Sequence, residues 1–100
     1  MTAAEALAKT QEVREQNTDK FIDKIIKEAD GLVYGTTTIG KDKCTASLVD
    51  KNLCYINRDR MKKELIDYYS KNGYKVDIVF SSWFGTSAIY IDLDWSEVNE

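Results

Sequence analysis

Apolar positions recur along this chain in two distinct periods. Phe21, Ile22, Ile25, Ile26 and Ala29 return at steps of three and four, the repeat of a helix that buries one stripe. Thr2 and Glu5 have the spacing of a capping box, and neither Pro nor Gly interrupts residues 3–29. The pattern predicts one long helix, or two abutting ones recapped at Asn17-Thr18-Asp19. Asp30-Gly31 is expected to end it, with the glycine left-handed past the last turn. In the first half Leu7 and Val13 stand almost alone among alanines and charges. Residues 32–39, rich in β-branched side chains and Tyr with Gly35 inside, predict a bulged strand. A turn at Gly40-Lys41-Asp42-Lys43 follows, then two short strands over residues 44–49 and 53–56 around Asp50-Lys51-Asn52. Asn57 is the expected N-cap of a second helix over residues 58–71, with Met61, Leu65, Tyr68 and Tyr69 on one side. Asn72-Gly73 is its expected stop.

The last third changes to a period of two. Tyr74, Val76, Ile78 and Phe80 alternate with Lys75, Asp77 and Val79. After a turn containing Gly85, Ile89, Ile91, Leu93 and Trp95 alternate with Tyr90, Asp92 and Asp94. These runs predict an antiparallel hairpin. The fold class is therefore α+β, a single small domain with an N-terminal helix, an antiparallel sheet and a second helix. Its expected order is α, two or three strands, α, two strands, with the helices on one face and the other face wet. Residues 1–17 are expected as a projecting N-terminal helix and 18–100 as the domain.

Composition narrows the chemistry. One hundred residues, 43% hydrophobic, suffice for one core and no more. The net charge of −3 argues against general affinity for phosphate backbones, and the absence of His removes the usual proton shuttle. Cys44 and Cys54 are too few for a disulfide scaffold and lack the further soft ligands a zinc site needs. Both are expected as reduced, small apolar residues, and no cofactor is expected. The N-terminus has no secretory pattern, and no run approaches the roughly 18 apolar residues of a membrane helix. A cytoplasmic location and no membrane partner are the expectation.

Residues 61–78 (MKKELIDYYSKNGYKVDI), closing with residues 89–95 (IYIDLDW), resemble an arrangement found in small tailed-bacteriophage proteins. There a helix ends in a Gly-Tyr cap, a strand and hairpin follow, and the final strand ends in Trp. The likeness spans about 35 residues. It implies a phage origin, hence the host-cell cytoplasm, and carries no catalytic residues across.

Four surfaces are candidates. With Phe80 facing Ile89, Asp77 faces Asp92 and Lys75 faces Asp94; a two-residue slip sets Asp77 against Asp94. Carboxylates opposed across strands destabilise a sheet, so the face is a solubilising surface, a seat for a partner's Arg or Lys, or an oxygen-ligand metal site. Arg58, Arg60, Lys62 and Lys63 beside Tyr55 offer charge and stacking to single-stranded nucleic acid, although Asp59 and Glu64 dilute them and a helix start disfavours cations. Trp83 and Phe84 at the hairpin tip are hard to bury locally and suit an interface, or fold back on the sheet. Leu7 and Val13 give residues 2–16 a stripe thin for monomer packing, suited to docking on another subunit or protein, or to a lightly packed end. Ser81 and Ser82 have no His to activate them.

The expectation is a non-enzymatic interaction protein binding a protein partner or itself through Leu7, Val13, Trp83, Phe84, Asp77, Asp92 and Asp94. The rival is a metal-dependent enzyme or metal-binding protein built on the three aspartates. Nucleic-acid binding through the basic helix start comes third.

Overall fold

The computed structural model describes residues 1–97; residues 98–100 of the expected domain lie outside the described residues. The first helix, α1, runs unbroken over Ala3–Thr38. Thr2 caps it, its hydroxyl accepting the Glu5 N–H at 3.1 Å. At 36 residues it spans about 54 Å, which accounts for the 56 Å long axis of the molecule. Its buried positions are Thr18, Phe21, Ile25, Ala29 and Thr36, with Ile22, Ile26 and Val33 packed beside them.

Two expectations fail here for one reason. Asp30-Gly31 does not stop the helix, and residues 32–39 are not a strand. The stripe of steps three and four continues through Ala29, Val33 and Thr36, so stopping at Gly31 would strip the last part of it from the sheet. β-branched residues lose a few tenths of a kcal/mol each in a helix and glycine about 1 kcal/mol, less than a buried side chain contributes. The stop is Gly40, at φ +83°. Its N–H donates to the Thr37 carbonyl at 3.1 Å and that of Lys41 to Thr36 at 3.2 Å, a Schellman cap. No recapping occurs at Asn17-Thr18-Asp19; the Thr18 hydroxyl donates back to the Arg14 carbonyl at 2.7 Å within continuous helix.

The first strand, β1 (Lys43–Asp50), matches expectation, but residues 53–56 are not its hairpin partner. Lys51–Cys54 instead form a 3-10 turn, started by the Asp50 carboxylate accepting the Asn52 N–H at 2.8 Å. Leu53 and Ile56, three residues apart, both fold inward into the core. The second helix, α2 (Arg58–Lys71), begins at Asn57, whose side-chain oxygen accepts the Arg60 N–H at 3.1 Å. It ends in another Schellman cap at Gly73, φ +91°, with Tyr74 N–H on the Tyr69 carbonyl and Gly73 N–H on Ser70, both at 3.0 Å. The hydrophobic contact that accompanies such caps is an edge-on pairing of Tyr69 and Tyr74, continued edge-on to Trp95.

β2 (Lys75–Trp83) and β3 (Thr86–Asp94) make the expected hairpin, with Phe80 opposite Ile89 and Asp77 opposite Asp92. β1 lies antiparallel on the other side of β3, giving the order β1-β3-β2. α1 and α2 cover one face. Ile89, Ile91 and Leu93 of β3 point under them and are almost completely buried, with Met61, Leu65, Tyr69 and Ile25 above. The molecule is thus a two-layer α+β domain. Among the described residues no helix is long and apolar enough to cross a membrane.

The unbroken α1 has a direct consequence. A Cβ added at Gly31 or Gly35 meets nothing within 4 Å, and both glycines are exposed in the helix. Gly31→Ala and Gly35→Ala should therefore each stabilise the fold by about 0.5–1 kcal/mol. Thermal unfolding followed by circular dichroism reads this; a loss of stability at Gly35 would restore the strand.

Candidate functional site

Three exposed regions carry the chemistry singled out in the sequence, and a fourth, the basic start of α2, is largely engaged by the fold itself. Arg60 turns back to α1, pairing with Glu15 and Asp19 and, along α2, with Glu64 at 3.3 Å. The Asn57 amide donates to the other Glu15 oxygen at 2.9 Å, and its backbone N–H donates to the Thr18 hydroxyl at 2.9 Å. Thr18, fully buried, therefore uses one hydroxyl twice, as donor within α1 and as acceptor for the start of α2. Hydrogen bonds from Asn57 and then Arg60 hold the Glu15 carboxyl below the usual carboxylate range. Glu15 and Asp19 also answer why cations sit at a helix start: the carboxylates of α1 offset the unfavourable dipole. Arg58 lies over the Phe80 ring, 5.5 Å from its centroid, and donates to the Ser82 hydroxyl at 3.3 Å. Of the four basic residues only Lys62 and Lys63 project without a described partner, so the charge-and-stacking surface read from Arg58 and Arg60 does not assemble.

At the hairpin tip, Trp83 pairs with Thr86 across a two-residue turn of Phe84 and Gly85. Both turn residues have positive φ, +45° and +76°. That is the type I′ geometry, which normally takes Asn-Gly and penalises a bulky side chain at its first position by about 1–2 kcal/mol. The Phe84 side chain is nonetheless fully exposed and packs on nothing in the domain. Trp83, 40% exposed, stays on the strand, in alternation with Lys75, Asp77, Val79 and Ser81. Neither aromatic folds back over the core.

The uncovered sheet face unites the predicted aspartates with residues the sequence reading left apart. Its rows, read across β1, β3 and β2, are Lys43, Asp94, Lys75; then Thr45, Asp92, Asp77; then Ser47, Tyr90, Val79; then Val49, Ala88, Ser81. Asp77 and Asp92 stand opposed, and neither forms an ion pair among the described residues. Asp92 accepts the Thr45 hydroxyl at 2.5 Å. Asp94, one row on between two lysines, is turned to Ser96, accepting its N–H at 2.9 Å and its hydroxyl at 2.6 Å. These bonds, with Lys75 and Lys43 nearby, hold its carboxyl below the ordinary range. The first two rows border a shallow depression of about 450 Å³. Among the described residues no three His, Cys, Asp or Glu side chains sit close enough to hold a metal ion. Beyond the acids the face is half apolar: Val49 is 53% and Val79 49% exposed, with Tyr90 between them, Ser47 and Ser81 alongside, and Ala88 covered by its neighbours.

The first fourteen residues are exposed throughout, Leu7 and Val13 included, and contact with the domain begins at Glu15. A notch of about 700 Å³ lies where this arm meets the domain, lined by Gln11, Arg14, Ile56 and Arg58 among others. The cysteines are both free thiols. Burial pushes the Cys44 thiol upward, whereas Cys54 is exposed, its thiol donating to the Lys51 carbonyl at 3.1 Å.

Sequence reasoning missed Glu15, Thr18 and Asn57 as a junction, and Val49 as part of the open face. A Thr at a stripe position, where an aliphatic residue would serve packing alone, was the available signal for Thr18. Replacing it tests the junction. Thr18→Val keeps the shape but orphans the Asn57 N–H, and should cost about 1–3 kcal/mol in urea unfolding. The Glu15 carboxyl titrates lower folded than unfolded, so its contribution is complete above the ordinary carboxylate range. That contribution is lost as pH falls through the depressed folded value. Glu15→Gln should lower stability at neutral and alkaline pH and flatten the acid limb of the profile, because the contribution it removes is the one lost on acidification.

No protein-family model, curated protein or solved structure matches this chain, so the reading of these surfaces stands on their residues alone.

Proposed function

We propose that this chain is a non-enzymatic protein-interaction module, a phage-encoded accessory protein that binds a host or phage protein, or itself, in the host cytoplasm. The observation that carries the reading is Phe84. A large aromatic in a left-handed turn position gains nothing from its own domain and costs it stability. Asn at the same place would relieve the strain and keep the turn. A residue that is unfavourable for the fold and fully exposed is best explained by a contact outside the fold, and aromatics are the commonest anchors of such contacts. The exposed Leu7 and Val13 of the N-terminal arm and the half-exposed Trp83 supply further apolar surface at the same end of the molecule, since Ser82 meets Arg58 beside the α1–α2 junction. The phage origin is supported by the helix-cap-hairpin-Trp arrangement of residues 61–95.

Phe84→Asn separates folding from binding. It should raise the unfolding free energy by about 1 kcal/mol while abolishing self-association in light scattering, or capture of a partner from host lysate. A strict monomer that captures nothing at micromolar concentration, with or without Phe84, would sink the module reading.

A further inference from the structure

The sheet's uncovered face holds a second, larger docking surface, and its shape and charge specify an occupant. We infer that this face binds one amphipathic helix of a partner protein, carrying an apolar stripe and a Lys or Arg that meets Asp77 and Asp92. The inference deepens the interaction-module reading and rests on it.

Geometry selects a helix. The three strands are spaced by about 4.8 Å, so the outer two stand about 10 Å apart, close to the diameter of one helix. Nine-residue strands give a track of about 30 Å, the length of about 20 helical residues. Along that track Ala88 and Ser81 are small, while Val49, Tyr90, Val79 and Trp83 stand higher around them. A helix laid along β3 would close the sheet between two helical layers. The face is roughly 450 Å² by the same spacings.

Charge selects the sign. At one end of the apolar track Asp77 and Asp92 oppose each other directly, without a cation of their own among the described residues. Like charges so placed weaken a sheet, and a partner's cation between them removes the repulsion. In the next row Lys43 and Lys75 flank Asp94 and Lys75 also lies 3.4 Å from Glu97, so those four charges sum to zero within the chain and the attraction for a cation is confined to one row. That row lies about 7 Å beyond the row of Tyr90 and Val79, or four to five residues of helix rise. The occupant therefore carries its cation four or five residues past its last apolar anchor.

Selection from a display library of helical peptides about 20 residues long, with apolar stripe and charge positions both varied, tests this on the intact protein. Peptides with an apolar stripe and a Lys or Arg at that offset should be enriched. Val79→Asp should abolish their binding, and the exposed Lys24→Ala on α1 should leave it unchanged. The double variant Asp77→Asn with Asp92→Asn should weaken it at least tenfold while raising, not lowering, the unfolding midpoint, which rules out misfolding as the cause. Enrichment of acidic peptides, or no enrichment, overturns the inference. A dimer of the free protein that Val79→Asp dissolves would put a second copy on the face and overturn it too. Peptides indifferent to Val79→Asp and the double variant but lost with Phe84→Asn would overturn the face while leaving the module reading intact.

Discussion

Burial of one side of β3 is the constraint on which the rest of the structure depends. Ile89, Ile91 and Leu93 reach the core only if strands flank β3 on both sides and helices cover it. β2 comes to it locally, through a two-residue turn. β1 comes from the other half of the chain, with α1 directly before it in sequence and packed above it. The unbroken α1 follows from this. A helix ended at Gly31 would leave Val33 and Thr36 without the strand they cover, and the edge of the core beneath them open to water. Tertiary burial thus overrides both a glycine pair and a β-branched run, each unfavourable by an amount smaller than one buried side chain.

The same logic divides what could be read in the sequence from what could not. The terminal hairpin, the side each of its residues faces and the second helix with both caps were legible because local rules agree there, while the hairpin's register was narrowed to two alternatives. Period-two alternation, Asn57 and Asn72-Gly73 all name the same boundaries. Residues 32–39 and 53–56 were not, because local propensity pointed one way and a distant partner the other. Leu53 and Ile56 look like strand residues until the three-residue step between them is matched to a 3-10 turn and the bend after it, which together drop both into the core. Of the candidate surfaces, Asp77, Asp92, Trp83 and Phe84 were legible, since alternation fixes sidedness. Val49 joins them only once β1 is known to pair with β3, a fact no local pattern carries. The junction of Glu15, Thr18, Asn57 and Arg60 was hidden for the same reason: its members lie about 40 residues apart, and each alone reads as an ordinary helix or cap residue.

That junction changes the meaning of the chain's charges. Arg58 and Arg60 looked like a patch for an anionic ligand because they stand with Lys62 and Lys63 beside Tyr55, although a helix start is a poor place for cations. The structure supplies Arg60 with counter-charge from α1 and seats Arg58 on the Phe80 ring and the Ser82 hydroxyl, so the two arginines become fasteners between α2, α1 and the hairpin. Exposed ion pairs stabilise little on their own. Here they accompany a buried hydroxyl that links the two helices, so the geometry is held by Thr18 and the arginines add orientation. With Arg58 and Arg60 engaged by the fold, the exposed chemistry of the hairpin and its open sheet face is one of carboxylates, aromatics and valines.

What distinguishes this domain is where its unfavourable features lie. Inside, the helix ends are capped and no described buried side-chain polar atom lacks a partner. Outside, a strained and fully exposed Phe84, two carboxylates in direct opposition and a half-apolar sheet face lie on the hairpin or against it. A sequence that resolves every conflict in its interior had simple remedies for these as well: Asn at the turn, Lys across from Asp77, Thr in place of Val79. Each unfavourable choice is one that contact with another molecule would reverse, the aromatic by burial, the acids by a cation, the valines by a covering stripe. Large apolar side chains are exposed elsewhere too, Tyr34 and Ile39 among them, but those lie on relaxed backbone; on the hairpin and the sheet face beside it exposure coincides with a strained turn and opposed carboxylates, and that coincidence is what supports the proposed binding surface.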